Sequence, residues 1–209
     1  MKKNIAFFLA LALITFSLTA CSGNAVKSSV DDVPTQTDMD TQSDVQKPKM
    51  SLEEKYPDFK AFDMSASKMA DSLKQFMQQQ FPDSMTIEQT TDDTEGDELI
   101  PPNKAYTYDI GSGVSLTLFE TQETQRLYQA YLYAPKSTDT TSDVFSRIGT
   151  ASGLLLAFLE PQESVGQKIM TELNVTDIAT AGTRVSSGDY SNWTYIIDEK
   201  SLTFNIMAK

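Results

Sequence analysis

Few residues in this 209-residue chain could do chemistry, and each fails for a stated reason. The chain has no histidine. That removes Ser-His-Asp and Cys-His nucleophiles, histidine-ligated zinc and the commonest general base. Ser65-Ala66-Ser67-Lys68 has the S-x-x-K spacing in which a lysine can activate a serine. That chemistry also needs Ser-Asp-Asn-like and Lys-Thr-Gly-like elements, and the chain has neither. The run Asp92-Asp93-Thr94-Glu95-Gly96-Asp97-Glu98 offers the oxygen ligands that calcium takes. Setting Gly96 at the sixth position of a twelve-residue calcium loop puts Thr91 first and Pro102 last, so the bidentate glutamate is missing. No glycine-rich phosphate loop occurs. The sequence therefore assigns no catalytic residue, metal ligand or cofactor. Two carboxylates in a cleft could still hydrolyse a glycoside, and Asp109, Glu120 and Asp189 stand near strand ends or turns. Charged solvent-facing residues explain them equally well.

Cys21 is the one cysteine. Ahead of it come Lys2 and Lys3, then the apolar run from Ile5 to Phe16, then small residues. This is the layout of a secretory signal peptide over residues 1–20. The run is too short for a spanning helix, which needs roughly 20 residues. Leu18-Thr19-Ala20-Cys21 resembles the lipobox of bacterial lipoproteins, a resemblance confined to the first 21 residues. It implies cleavage before Cys21, a diacylglyceryl group on its thiol and a further acyl chain on the new N-terminus. Each buried methylene is worth roughly 0.8 kcal/mol, so two or three chains hold where one does not. The expected location is a bacterial membrane, lipid-anchored and facing away from the cytoplasm. Ser22 after the cysteine, in place of Asp, favours the outer membrane in a cell that has two.

Residues 22–50 are rich in Ser, Thr, Asp, Gln and Pro and have no aromatics. Such a composition buries too little apolar surface to offset the entropy of ordering. Residues 21–50 thus read as the lipidated cysteine and a disordered linker. The reach of that linker as a coil is about 30 Å.

Charge narrows the partners. The chain has 17 basic and 29 acidic residues, net −12. From residue 51 onward 12 basic face 24 acidic residues. Such a domain repels phosphate backbones and anionic headgroups, which disfavours nucleic acid and direct headgroup binding, so no nucleic acid is expected among its partners.

Residues 51–209 form a globular domain of ordinary size. Ala66, Met69, Ala70, Leu73, Phe76 and Met77 share a helical face, so a helix is expected over about 65–80, capped by Asp63 or Ser65. Met85–Gln89 reads as a short strand and residues 90–104 as a loop. A meander follows, with Tyr106, Tyr108 and Ile110 on one face. Gly111-Ser112-Gly113 turns the chain into Val114, Leu116 and Leu118, and Arg126–Tyr133 forms the last strand. Ser142 caps a second helix that runs to Leu159, uncharged from Ile148 onward and so central and buried. Small residues at 149–153 would admit a close neighbour. A third helix starts near Pro161, carries Val165, Ile169 and Leu173, and ends at Asn174 in a left-handed conformation. Strands at Thr183–Ser186, Trp193–Ile197 and Leu202–Ile206 complete the chain. The expected class is α+β, with antiparallel meanders packed against three helices in two loose helix-meander halves.

Tyr128, Tyr131, Tyr133, Trp193 and Tyr195 lie on expected strands and are the candidate partner-binding residues, because Tyr and Trp are favoured at interface hot spots. Tyr131 and Tyr133 share one face, and Tyr128 is expected on the other. The function that follows is a non-enzymatic, lipid-tethered accessory domain that contacts another envelope protein. A tethered small-molecule receptor, with a pocket lined by Leu154, Phe158 and the sheet, is the alternative. A hydrolase using only carboxylates is the third reading.

Overall fold

The computed structural model describes residues 51–137 and 142–209. The signal peptide, Cys21 and the linker lie outside the described residues. Helix α1 (Leu52–Lys55) is closed by a capping box, in which the Ser51 hydroxyl accepts from the Glu54 N–H and the Glu54 carboxylate accepts from the Ser51 N–H. Helix α2 is Ala66–Gln80, with Ser65 as its N-cap. Four strands follow: β1 (Thr86–Asp93), β2 (Asn103–Gly111), β3 (Val114–Thr121) and β4 (Leu127–Pro135). Helices α3 (Asp143–Leu159) and α4 (Glu163–Leu173) precede β5 (Gly182–Ser187), β6 (Ser191–Ile197) and β7 (Ser201–Ala208).

All seven strands make one antiparallel sheet in the order β1-β2-β3-β4-β7-β6-β5. The class is α+β. The two meanders are not separate layers. Their last strands, β4 and β7, pair at the centre, with Leu132 opposite Phe204. Four helices rather than three stand among the described residues, because the capping box at Ser51 and Glu54 supports an extra turn.

Alternation fixes one face of the sheet as the core side. Leu116, Leu132, Phe204 and Tyr195 form one row across four strands, and all four are buried. Tyr195 stacks on Phe204 with ring centroids 4.3 Å apart, and Trp193 meets the same ring edge-on at 6.4 Å. Helix α3 covers this side with Ile148, Ala151 and Leu155 and packs between α2 and α4. Burial on nearly every side explains its charge-free run. Just before that run stands the buried Arg147, which bonds the Asp143 and Asp83 carboxylates and the Ile110 carbonyl and lies 4.6 Å above the Phe81 ring. The run of small residues does not serve close approach throughout, since a side chain at Gly153 would meet nothing within 4 Å.

Three boundaries differ from expectation. Strand β1 runs to Asp93, and β2 begins at Asn103, so the acidic loop shrinks to residues 94–102. Asp93 Oδ1 accepts from the N–H groups of Glu95 and Gly96, and Asp97 Oδ1 from those of Leu99 and Ile100. The acidic residues thus build a tight hairpin. Strand β4 runs two residues past Tyr133, to Pro135. Pro161 precedes the N-cap Gln162 instead of starting α4. Asn174 closes that helix at φ 45°, ψ 52°, as its residue type suggests. Gly111, Ser112 and Gly113 all have positive φ, which explains two glycines in that turn.

Candidate functional site

The five aromatic candidates separate. Trp193 and Tyr195 are each 1% exposed and belong to the core under the helices. Their place on the inward parity of β6 removes them from any docking face. Tyr128 is 4% exposed. It is the extra residue of a β-bulge, since Phe119 faces Gln129 while Glu120 faces Leu127. The bulge turns Tyr128 to the side of Phe119, where its ring lies 6.1 Å from Phe119 and 5.2 Å from Phe59. It therefore shares the side of Tyr131 and Tyr133, contrary to simple alternation, and Phe59 roofs it there. Burial also lifts the Tyr128 phenol to about 12.

Tyr131 and Tyr133 stand outward, 37% and 36% exposed. The registers place them in two rows across the helix-free side of the sheet. One row runs Thr107, Thr117, Tyr131, Asn205, Thr194 and Val185. The next runs Asp109, Ser115, Tyr133, Thr203, Ile196 and Thr183. A third, nearer the roofed corner, contains Phe119, Gln129, Met207 and Asn192. Val185, Ile196 and Met207 are exposed apolar side chains on this side. Outward polar groups pair sideways. Thr107 and Thr117 share a hydroxyl bond at 3.0 Å, and Gln129 Nε2 donates to Asn205 Oδ1 at 2.7 Å.

On β3, β4, β7 and β6 no outward position in these rows carries a charge. In a domain with 24 acidic residues this is the most distinctive property of the surface. Ile196, Val185, Met207 and Asn205 escaped the sequence reading because it followed aromatics. The signal was present for Ile196, Asn205 and Met207, since they alternate with Trp193, Tyr195, Phe204 and Ile206. Which parity faces inward became plain only with the helices in place.

The other two readings find less to work with. Leu154 packs in the core, and the Phe158 ring lies 6.0 Å from that of Phe76. Phe158 also walls a shallow groove of about 340 Å³ with Ala61–Met64, Arg126, Pro161, Tyr190 and Lys209. The cations there are used internally. Arg126 Nε donates to the Phe62 carbonyl at 3.1 Å and Lys209 Nζ to the Gly188 carbonyl at 2.9 Å. A carboxylate hydrolase requires an acid with a raised pKa. Asp97, Asp143, Asp177 and Asp198 all shift the other way, each held down first by hydrogen bonds to its carboxylate. Asp109 accepts from the Gly111 N–H at 2.6 Å, and Glu120 accepts from the Ala66 N–H at the start of α2 and from the Tyr106 hydroxyl. Among the described residues no group of three or more Cys, Asp or Glu is placed to hold a metal ion. No described helix is long and apolar enough to cross a membrane. The chain matches no protein-family model, no curated protein and no solved structure.

Proposed function

We propose that this chain is a lipid-anchored envelope protein whose folded domain acts by docking another protein, without catalysis. The observation that carries this reading is the helix-free sheet face, uncharged across β3, β4, β7 and β6 and set with Tyr131, Tyr133, Ile196 and Met207. Exposed apolar patches of this kind, rimmed by polar residues, are typical of interaction surfaces. Tyr and Met are also enriched where proteins meet. The anchor rests on the signal peptide and on Leu18-Thr19-Ala20-Cys21, and the acidic composition keeps nucleic acid and anionic headgroups out of account.

Two experiments test this. Cys21→Ser releases the chain from the membrane fraction, and continued sedimentation with membranes refutes the anchor. A photo-crosslinking residue at position 133, in cells, captures protein adducts that the same residue at Lys74 on α2 does not. Equal capture at the two positions, or none at 133, refutes the docking face. A small-molecule site is the second reading, favoured by the groove at Phe158. A bound metabolite recovered with the purified protein, and lost on Phe158→Ala, supports it.

A further inference from the structure

We propose that the occupant of the open face is the same face of a second copy of this chain. The inference rests on the docking reading above and names its partner.

Size is the first argument. Seven strands about 4.8 Å apart span about 29 Å, and strands of eight residues run about 27 Å, so the whole face projects about 780 Å² and the four uncharged strands about half of it. A standard interface buries about 800 Å² per partner. Phe59 roofs one corner, while side-chain relief adds to the flat projection.

Charge is the second. Two copies repel over most of their surface, because each carries 24 acidic residues against 12 basic ones from residue 51 onward. Strands β3, β4, β7 and β6 of this face are where they approach without that cost. A basic partner is drawn elsewhere, to the acidic strand β1 and its hairpin.

Hydrogen bonding is the third. The outward polar side chains on those strands are Ser, Thr, Tyr, Asn and Gln, each of which both donates and accepts. Such a face satisfies itself when turned about a two-fold axis, as an isologous interface requires. Two sheets stacked face to face, about 10 Å apart and with strands within about 30° of alignment, are a stable arrangement for such surfaces. Anchoring of both copies at one membrane, as proposed above, raises their effective concentration.

The test uses the full-length chain in cells. Tyr131→Cys, near the centre of the face, is treated with a short bis-maleimide. The wild-type chain, with Cys21 alone, and Lys74→Cys on α2 are the controls. The expected product is a covalent dimer of twice the chain mass from Tyr131→Cys and not from the controls. Adding Ile196→Asp or, separately, Tyr133→Asp places like charges across the interface and lowers the dimer yield by about tenfold or more. Both sites are exposed, and circular dichroism checks each fold. An adduct of another mass at 131 overturns self-pairing and leaves the docking reading standing. A monomer under all conditions overturns self-pairing, and the photo-crosslink at position 133 then decides the docking reading separately. Undiminished dimer in both charged variants also overturns the proposed interface.

Discussion

Replacing Glu160 with alanine should cost about 3 kcal/mol, because this carboxylate closes a turn from the far side of the chain. Glu160 is 3% exposed at the end of α3. Its Oε1 accepts from the N–H groups of Tyr190 at 3.0 Å and Ser191 at 2.7 Å and from the Ser191 hydroxyl at 2.6 Å, while Oε2 accepts from the Asp189 N–H at 3.1 Å. Asp189 and Tyr190 are exposed, so their N–H groups regain water in the variant. Ser191 is fully buried and keeps its amide and hydroxyl unsolvated. A stranded buried donor costs about 1–3 kcal/mol, and the relief of no longer burying a charge offsets part of the loss. For a domain of this size each kcal/mol moves the midpoint by about 2–4 °C, so a fall of about 6–12 °C is expected by circular dichroism. Gly188 supplies the internal control, because a methyl group there would overlap the Glu160 carboxylate. Gly188→Ala should therefore be costly in the wild type and nearly harmless beside Glu160→Ala, a coupling that a double-mutant cycle reads directly. A loss below about 1 kcal/mol for Glu160→Ala, or additive effects of the two changes, would refute the argument.

Three further outcomes follow from the charges. Burial lifts the phenols of Tyr106, Tyr128 and Tyr195 to about 12, and a Glu120 hydrogen bond adds to the first. Because the folded values exceed the unfolded value of about 10, their stabilisation is complete below pH 10 and is lost between 10 and 12. A spectrophotometric titration should show a late tyrosinate class appearing together with loss of near-ultraviolet dichroism, and smooth titration ahead of unfolding would contradict it. Asp143 is held below the usual carboxylate range first by the Ser112 hydroxyl and then by Arg147. A depressed folded value stabilises above the unfolded pKa of about 3.9 and fades as pH falls through the lower one. The destabilisation caused by Ser112→Ala at pH 7 should therefore shrink by pH 2, and a gap of constant size would sink the linkage. Arg147→Met should destabilise clearly more than Arg184→Met. Arg147 sits amid two carboxylates and the Ile110 carbonyl at 8% exposure, while the half-buried Arg184 has one carboxylate partner, Asp177, besides the carbonyls it bonds. Chemical denaturation compares the two.

Much of the local structure was legible because local rules act within a turn or two. Ser65 and Ser142 accept from the N–H groups of Lys68 and Phe145, as N-caps do, and the 3.6-residue spacing of Met69, Leu73 and Met77 sets the buried side of α2. Strand β1 was truncated because all eight of its residues are exposed, which leaves no apolar alternation to follow. The bulge that redirects Tyr128 depends on register with β3, which one strand cannot announce. The joining of β4 to β7 crosses some seventy residues, and the Glu160 turn crosses about thirty. The candidate site was half visible for the same reason. Tyr131 and Tyr133 lie on the parity opposite the core, while Trp193 and Tyr195 carry the same residue types on the inward parity.

The placement of charge separates the two ways this sheet could associate. Strand β1 is an edge with unpaired backbone groups along one side and Ile87 59% exposed, a hazard for edge-to-edge growth. Glu88, Asp92 and Asp93 sit within it. Charges on an edge are a known guard against strand addition, and the face carries none on β3, β4, β7 and β6. The pairing guarded against and the pairing left open are therefore at different places. Glu88→Thr with Asp92→Thr should remove most of the guard while keeping Asp93 for the hairpin. Such a variant should gain sheet-rich aggregates at concentrations where the wild type stays soluble, and high salt should move the wild type the same way. The cross-link at position 131 should be unchanged, since the face is not touched. Aggregation without any effect of salt would argue against charge as the guard, and loss of the 131 cross-link in the edge variant would mean that edge and face are one interface.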